Sequence, residues 1–306
     1  MELVRLNKMF VIRNKKIFFT TSALAILIAI GSIIVLGLNF GIEFKGGAII
    51  QVSYENPPAV SDVESAISDL GLGNFSLQPA GEKGFILKTP DLSETEQNNV
   101  LEALTLGGTV EPVLDRVSSV GPSVGRELRT KALIALSLVV IAIILFITFA
   151  FRKVSLPVAS WKYGLVAIVA LVHDIIIPTG AFAILGHFLG YEVDVLFVTA
   201  LLAILGYSVS DTIVVFDRIR ENLRTNQEYR IHESFEDTVG KSLSQTYARS
   251  INTSLSTILA LLALYIFGGV STEHFALTLL IGVIAGTYSS IFLASPLLVV
   301  LGKGKE

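Results

Sequence analysis

The chain has no cysteine. That excludes disulfides, thiol catalysis and thiolate metal sites, and the composition suits an oxidising exterior. Histidine is scarce as well, with four scattered residues in 306. Charge is sparse: 16% of residues are Asp, Glu, Lys or Arg, where soluble domains carry about 25%. The net charge of −3 provides no basic field for nucleic acid. No nucleophile–base set, metal cage or phosphate loop stands out, so neither an enzyme nor a cofactor is expected.

What the chain has instead is apolar sequence in long blocks. Hydrophobic residues make up 52%, and the mean hydropathy is +0.69. A membrane span needs about 20 mostly apolar residues. Six blocks meet that length: 17–37, 133–151, 163–185, 195–216, 251–267 and 275–301. The first follows Arg5, Lys8, Arg13, Lys15 and Lys16. It is too long for a signal-peptide core and lacks an A-x-A site, so it reads as an uncleaved anchor.

Lysine and arginine in the loops set the orientation. With the N-terminus in the cytoplasm, the inner side holds those five residues, Arg152, Lys153 and Lys162, then Arg218, Arg220, Arg224, Arg230, Lys241 and Arg249, and finally Lys303 and Lys305. The short outer loops, 187–194 and 268–274, contain no lysine or arginine. Arg126, Arg129 and Lys131 at the end of the large outer loop run against the bias, but long loops translocate largely regardless of charge. Both termini are thus expected in the cytoplasm of a multi-pass protein of the plasma (inner) membrane, in contact with the lipid bilayer.

Three segments follow: an N-terminal segment with the first span (1–37), an external domain (38–130), and spans two to six (131–306) with a cytoplasmic loop at 217–249. Within the external domain, Ala48–Tyr54 reads as a strand. After Pro58 comes an amphipathic helix with Val60, Val63, Ile67 and Leu70 on one face. Residues 75–78 and 85–88 flank Gly81 and Gly84 as a hairpin. Ser93 and Glu96 form a capping box before a second helix with Val100, Leu101 and Leu104. A last strand is expected over 109–117. The order β-α-β-β-α-β is that of a ferredoxin-like α+β domain. The expected fold is therefore an all-α bundle of six transmembrane helices, with this domain between helices one and two.

Ionisable residues inside a span cost about 2.5–3.5 kcal/mol on insertion scales and mark functional candidates. His173, Asp174 and Asp211 lie well inside apolar blocks, and Arg249 sits just before span five. Arg249, Asn252, Thr253, Ser256, Thr257 and Ala260 recur at helical spacing, a polar or small stripe that should face another helix or water. Span four offers Gly206, Tyr207, Ser208, Ser210 and Asp211 as its counterpart. Asp211 and Arg249 can lie at similar depth, either as a proton relay or as a fixed ion pair; Arg249 could also snorkel to the interface. His173 and Asp174 either join the relay or pair within the bundle. Thr278, Gly282, Gly286 and Ser290 form a small-residue ridge for close packing. Phe235, Val239, Leu243 and Tyr247 read as an amphipathic helix, lying on the inner membrane surface or packing on the bundle.

Five motifs in order resemble those of the SecD/SecF family of the resistance–nodulation–division superfamily. They are Gly41-Ile-Glu-Phe-Lys-Gly-Gly47, Val120-Gly-Pro-Ser-Val-Gly125, Val172-His-Asp174, the stretch from Gly206 to Asn222, and Ala248-Arg-Ser-Ile-Asn-Thr-Ser254. Glu43 stands where the family usually has aspartate, and Lys45 where it has a small polar residue. The resemblance implies a subunit that uses proton entry to promote export of protein across or into the membrane. It implies a heterodimer with a SecD-like subunit, work beside the SecYEG channel, and a translocating polypeptide as client. The relay positions carry over as Asp211 and Arg249; His173, Asp174, Asn252 and Ser210 are possible auxiliary residues. The competing readings are a small-molecule or lipid exporter of the same superfamily, and a non-transporting assembly factor for membrane proteins.

Overall fold

The structure, a computed structural model, describes residues 9–73, 75–81, 83–151 and 158–302. The charges at Arg5, Lys8, Arg152, Lys153, Lys303 and Lys305 lie outside the described residues. After a one-turn helix at Phe10–Arg13 comes α1 (Lys15–Leu36). Then follow β1 (Gly47–Tyr54), α2 (Val60–Ser68), β2 (Ser76–Ala80), β3 (Gly84–Thr89), α3 (Glu94–Ala103) and β4 (Pro112–Val120). The chain continues through α4 (Pro122–Ala150), α5 (Ser160–Leu189), α6 (Val195–Glu228), α7 (Phe235–Phe267) and α8 (Val270–Tyr288). A π-helical turn, Ser289–Ala294, joins α8 to α9 (Ser295–Gly302). Among the described residues six helices are long and apolar enough to cross a membrane: α1, α4, α5, α6, α7, and α8 with its continuation into α9. There are two compact units, one of residues 40–133 and one of the rest.

The small unit has one antiparallel sheet in the order β2-β3-β1-β4. Side chains alternate across a strand. In β1 that places Ile50, Val52 and Tyr54 on the covered face, where they meet Phe85 and Leu87 of β3 and Val63, Ile67, Val100 and Leu104 from the helices. The Tyr54 hydroxyl donates to the Leu104 carbonyl at 2.9 Å. The capping box is present: the Glu96 amide donates to Ser93 Oγ, and the Ser93 amide donates to Glu96 Oε2. The Ser93 hydroxyl, donating to Glu96 Oε2 at 2.7 Å, and then the Ser93 amide hold the exposed Glu96 carboxyl below its usual range. The last strand begins at Pro112 rather than Thr109, because Leu106, Gly107 and Gly108 turn through left-handed φ. The two glycine motifs that flank this unit meet. Gly47 has φ +146, and a Cβ there would lie 2.6 Å from the Thr89 carbonyl oxygen; a Cβ on Gly125 would lie 3.0 Å from the Gly46 nitrogen.

In the helical unit the small-residue ridge settles against α6. Gly282 faces Ile204, Gly286 faces Ser208, and Ser290 bonds to Thr212. Both sets step by four, so one α-helical row fits the other with the two helices running parallel. Exposed apolar side chains such as Leu27 and Ile34 on α1, Leu138 and Leu145 on α4, and Leu259 and Ile266 on α7 suit contact with lipid.

The segment expected as a cytoplasmic loop is largely helical. α6 continues to Glu228 and α7 begins at Phe235. Val239 and Leu243 are buried in the bundle core, with Phe235 and Tyr247 packed against it, so this stripe packs on the bundle rather than forming a separate surface helix. Polar bonds hold the hairpin. Asn222 Nδ2 donates to Ser242 and Gln245, Asn226 Nδ2 donates to Glu233 and Thr238, and Ser234 caps α7 through the Asp237 amide. Lys15 reaches Glu236 at 2.7 Å.

α1 approaches α5 backbone to backbone, so that a Cβ at Gly180 would lie 2.4 Å from Ala29 Cα. Backbone cannot yield as a side-chain tip can. Gly180→Leu is therefore expected to lower unfolding free energy in mixed micelles by about 1–3 kcal/mol, the usual cost of overpacking. Gly31→Ala, with nothing within 4 Å of the added carbon, should leave it unchanged or raise it.

Candidate functional site

The ionisable residues expected inside the spans meet in one polar seam through the helical unit. Asp174 of α5 is 0% exposed and His173 3%. His173 Nδ1 is 2.8 Å from Asp174 Oδ1. The other oxygen, Oδ2, accepts from Ser208 Oγ of α6 in a short bond and from Ser289 Oγ at 2.8 Å. One carboxylate therefore joins α5, α6 and the π turn. That turn presents two successive hydroxyls: Ser289 reaches Asp174, while Ser290 bonds to Thr212 Oγ1 at 2.9 Å. Tyr288 stacks on the His173 ring at 6.0 Å and donates to the Phe18 carbonyl of α1. His173 and Asp174 thus pair within the bundle.

Asp211 lies one turn further along α6, half-buried. Its Oδ1 accepts from Ser250 Oγ at 2.6 Å. Its Oδ2 is buried and makes no hydrogen bond of normal geometry, although the Ser290 hydroxyl is near enough to act on the carboxyl. Arg249, beside Ser250, acts on Asp211 electrostatically, yet it is exposed and no ion pair closes between them. The alternative of a fixed Asp211–Arg249 ion pair is not what this structure contains. Instead a strongly satisfied carboxylate, Asp174, and a half-satisfied one, Asp211, share a single seam.

The predicted stripe on α7 is shifted in phase. Thr246, Ser250 and Ser254 are the residues buried against the bundle. Ser254 Oγ accepts from Tyr207 at 3.2 Å and from Thr287 at 2.6 Å. Arg249, Asn252, Thr253, Ser256 and Ala260 are exposed, as is Ser210 on α6. Asn252 and Ser210 therefore line an uncovered polar face rather than the interior. Sequence reasoning passed over Ser250, Ser289 and Tyr288. The one available signal was the Tyr288-Ser-Ser290 run inside an apolar block.

This arrangement sits within residues 103–304, which match the family model for the C-terminal part of protein export membrane proteins SecD/SecF. Residues 31–58 match the SecD/SecF GG motif. The chain belongs to the SecD/SecF family. It is 44% identical to a protein translocase subunit SecF from Thermobaculum terrenum, covering 94% of this chain and 92% of the relative. It is 37% identical to one from Synechocystis, covering 95% and 93%. Among solved structures it is similar to SecDF from Thermus thermophilus, described as a translocon-associated membrane protein, with TM-score 0.81 and 32% identity. That match covers 98% of this chain but only 39% of the longer SecDF chain. A SecDF structure in a super-membrane-facing form matches with TM-score 0.66.

In this SecD/SecF family chain, the glycine pair of the GG motif is Gly46-Gly47 at the start of β1, and the titratable seam belongs to the C-terminal region. Interhelical hydrogen bonds in membranes contribute about 0.6–1.7 kcal/mol each. Asp174→Ala removes the acceptor of two of them and strands His173, so a loss of about 2–4 kcal/mol is expected in mixed-micelle unfolding. Ser210→Ala, on an exposed face, should change stability by less than about 0.5 kcal/mol.

Proposed function

We propose that this multi-pass membrane protein is a SecF-like subunit of the protein-translocation machinery, using proton entry to promote protein export. The observation that carries the mechanism is the half-satisfied Asp211 in the seam, with one oxygen on Ser250 and the other buried without a hydrogen bond of normal geometry. A carboxylate held this loosely can take up a proton without dismantling its surroundings, whereas Asp174 has donors on both oxygens. Asp211 and Arg249 are the proposed relay. Protonating Asp211 neutralises it, frees Arg249 from its field and permits α6 and α7 to shift. The His173–Asp174 pair, an auxiliary element, anchors α5, α6 and the π turn around which they shift.

A charge crossing the membrane potential gains about 2.3 kcal/mol per 100 mV. One proton could therefore bias a two-state rearrangement by roughly 50-fold.

The exposed polar face of Arg249, Asn252, Ser256 and Ser210 is unsuited to lipid. A SecD-like subunit covering it, as a second half of the transport unit, accounts for both that face and the greater length of the SecDF chain. The SecYEG channel and the translocating polypeptide are the further partners in this reading. The small unit, a ferredoxin-like α+β domain, stands outside the plasma membrane, with both termini in the cytoplasm. Support for that orientation comes from Lys15, Lys16, Lys162, Arg218, Arg220, Arg224 and Lys241 gathered at one set of helix ends, against outer loops that lack lysine and arginine.

Because the chain lacks cysteine, single cysteines at Ser76 and Gln227, both exposed, report the sidedness. They should label from outside and inside respectively; labelling from one side only would end the six-span orientation. Asp211→Asn should assemble normally and lose gradient-dependent export. Arg249→Lys should retain part of it, keeping the charge without the planar fork. Full export by an assembled Asp211→Asn variant would remove the relay.

A further inference from the structure

Two arginines near the start of α4 run against the charge bias of the short outer loops, and neither the relay nor the polar seam uses them. α4 begins at Pro122, and its apolar run begins at Leu133. At 1.5 Å per residue, Arg129 stands about 6 Å and Arg126 about 10 Å before that point. The headgroup layer is about 5–8 Å thick on each side of the hydrocarbon, so a long side chain from either position reaches it. Helical spacing places Arg126, Arg129, Thr130 and Leu133 on one side of α4. Glu127 and Lys131 fall on another side and pair with each other at 2.8 Å, so their charges cancel. Arg126 is exposed, and among the described residues no carboxylate pairs with it.

Arg129 is held in place by its own unit. Its guanidinium carbon lies 4.5 Å over the Phe40 ring, and Phe40 meets the buried Phe44 edge-on at 6.2 Å. Phe44 belongs to a one-turn helix, Ile42–Lys45, whose Glu43 and Lys45 add no net charge. The start of α4 closes on this turn backbone to backbone. A Cβ on Gly125 would lie 3.2 Å from the Phe44 carbonyl carbon, and one on Gly46 would lie 2.9 Å from Pro122 Cα. The two glycine motifs thus brace the ring on which Arg129 lies. Phe40 follows Leu36, the last residue of α1, by four residues, so the ring and the arginine each stand one turn's length of chain from a span. A guanidinium stacked by its face keeps its N–H edges for an acceptor, in the fork geometry that suits a phosphate.

The complement of this surface is an anionic group with an apolar body below it. A soluble anion matches the two arginines but not Leu133, 62% exposed, or the apolar span that follows it. A zwitterionic lipid brings its own cation to the same place, which a net anionic lipid does not. We infer that Arg126 and Arg129, with Phe40 as platform, form a site for the phosphate of an anionic phospholipid whose acyl chains run along α4. The site rests on the proposed function only for the leaflet it faces, the outer one. It gives the two outer arginines a use that offsets their cost against the charge bias.

The chain has one tryptophan, Trp161, which permits a direct test on the full protein. In a Trp161→Phe background, Leu133→Trp places a single fluorescent reporter one turn below Arg129. Quenching is measured in phosphatidylcholine nanodiscs containing a fixed fraction of dibrominated phosphatidylglycerol or of dibrominated phosphatidylcholine. The ratio of the two binding constants at the reporter is the quantity read. A basic residue near the surface contributes about fivefold, so two arginines should give a ratio of about 5–25. Arg126→Gln combined with Arg129→Gln should bring it to about 1. Phe40→Leu keeps every charge and should lower it about two- to fivefold, the value of an exposed cation–π contact. Quenching by the brominated phosphatidylcholine should be equal in all variants, which shows that the reporter still faces lipid in each. Millimolar inorganic phosphate should leave the ratio unchanged.

A ratio near 1 with both arginines present would overturn the site and leave them to an acidic surface of a partner protein. So would a ratio that survives loss of both arginines, or one that Phe40→Leu does not alter. Displacement by inorganic phosphate would mark a site for a soluble anion and would also overturn it. Both leaflets of a nanodisc carry the same lipid. An inverted orientation, or export that survives Asp211→Asn, therefore leaves the ratio as it is: the proposed function then fails and the lipid site stands.

Discussion

A buried carboxylate in an apolar bundle must collect hydrogen-bond donors, and Asp174 collects them from three places. His173 supplies one from the same helix, Ser208 one from α6, and Ser289 one from the π turn. No water is at hand in a bilayer interior to take over any of these bonds. The register of α5 against α6 and of α6 against α8 follows from that need. Gly282 and Gly286 then permit the approach that the bonds require, by removing the side chains that would hold Ile204 and Ser208 away. The π turn widens the helix so that two adjacent hydroxyls serve two different partners; such turns occur often at functional sites.

Against this rigid centre, Asp211 makes one close hydrogen bond, from Ser250, with Ser290 and Arg249 also acting on it but neither closing a bond of normal geometry. The contrast matters more than either residue alone. In the proposed cycle one group yields to a proton and the frame does not, and the two carboxylates differ in that respect by the hydrogen bonds they accept. A polar face containing Arg249, Asn252 and Ser210 is left exposed within this chain, and it is the face that the proposed SecD-like partner would cover.

Much of this was legible beforehand, for physical reasons that can be named. Apolar blocks are a one-dimensional signal, because every residue of a span must be compatible with lipid, and the six helices cover the six predicted blocks to within one residue. The order of strands and helices in the small unit followed from period-2 alternation in Ala48–Tyr54, from the period of Val63 and Ile67, and from a capping box that needs only Ser93 and Glu96. Polar helical stretches were harder. The extension of α6 to Glu228 and the start of α7 at Phe235 rest on Asn222 and Asn226 finding partners across the hairpin, bonds that no periodicity announces. On α7 the buried polar line through Thr246, Ser250 and Ser254 lies one residue out of phase with the stripe expected from spacing. Serine and threonine occupy both the buried line through Ser250 and Ser254 and the exposed line through Asn252 and Ser256, and composition does not distinguish them.

The sequence by itself determined which residues are costly in a membrane, and therefore that His173, Asp174, Asp211 and Arg249 needed an explanation. It also determined the number of spans and the family, because these depend on residue type along one dimension. Tertiary structure decided the rest. It decided that Asp174 is fully bonded and Asp211 only half so, and that Arg249 lies on an uncovered face. A hydrogen bond is a property of two positions in space, and hydroxyls 34 and 115 residues from Asp174 in sequence become its partners only when the bundle has packed.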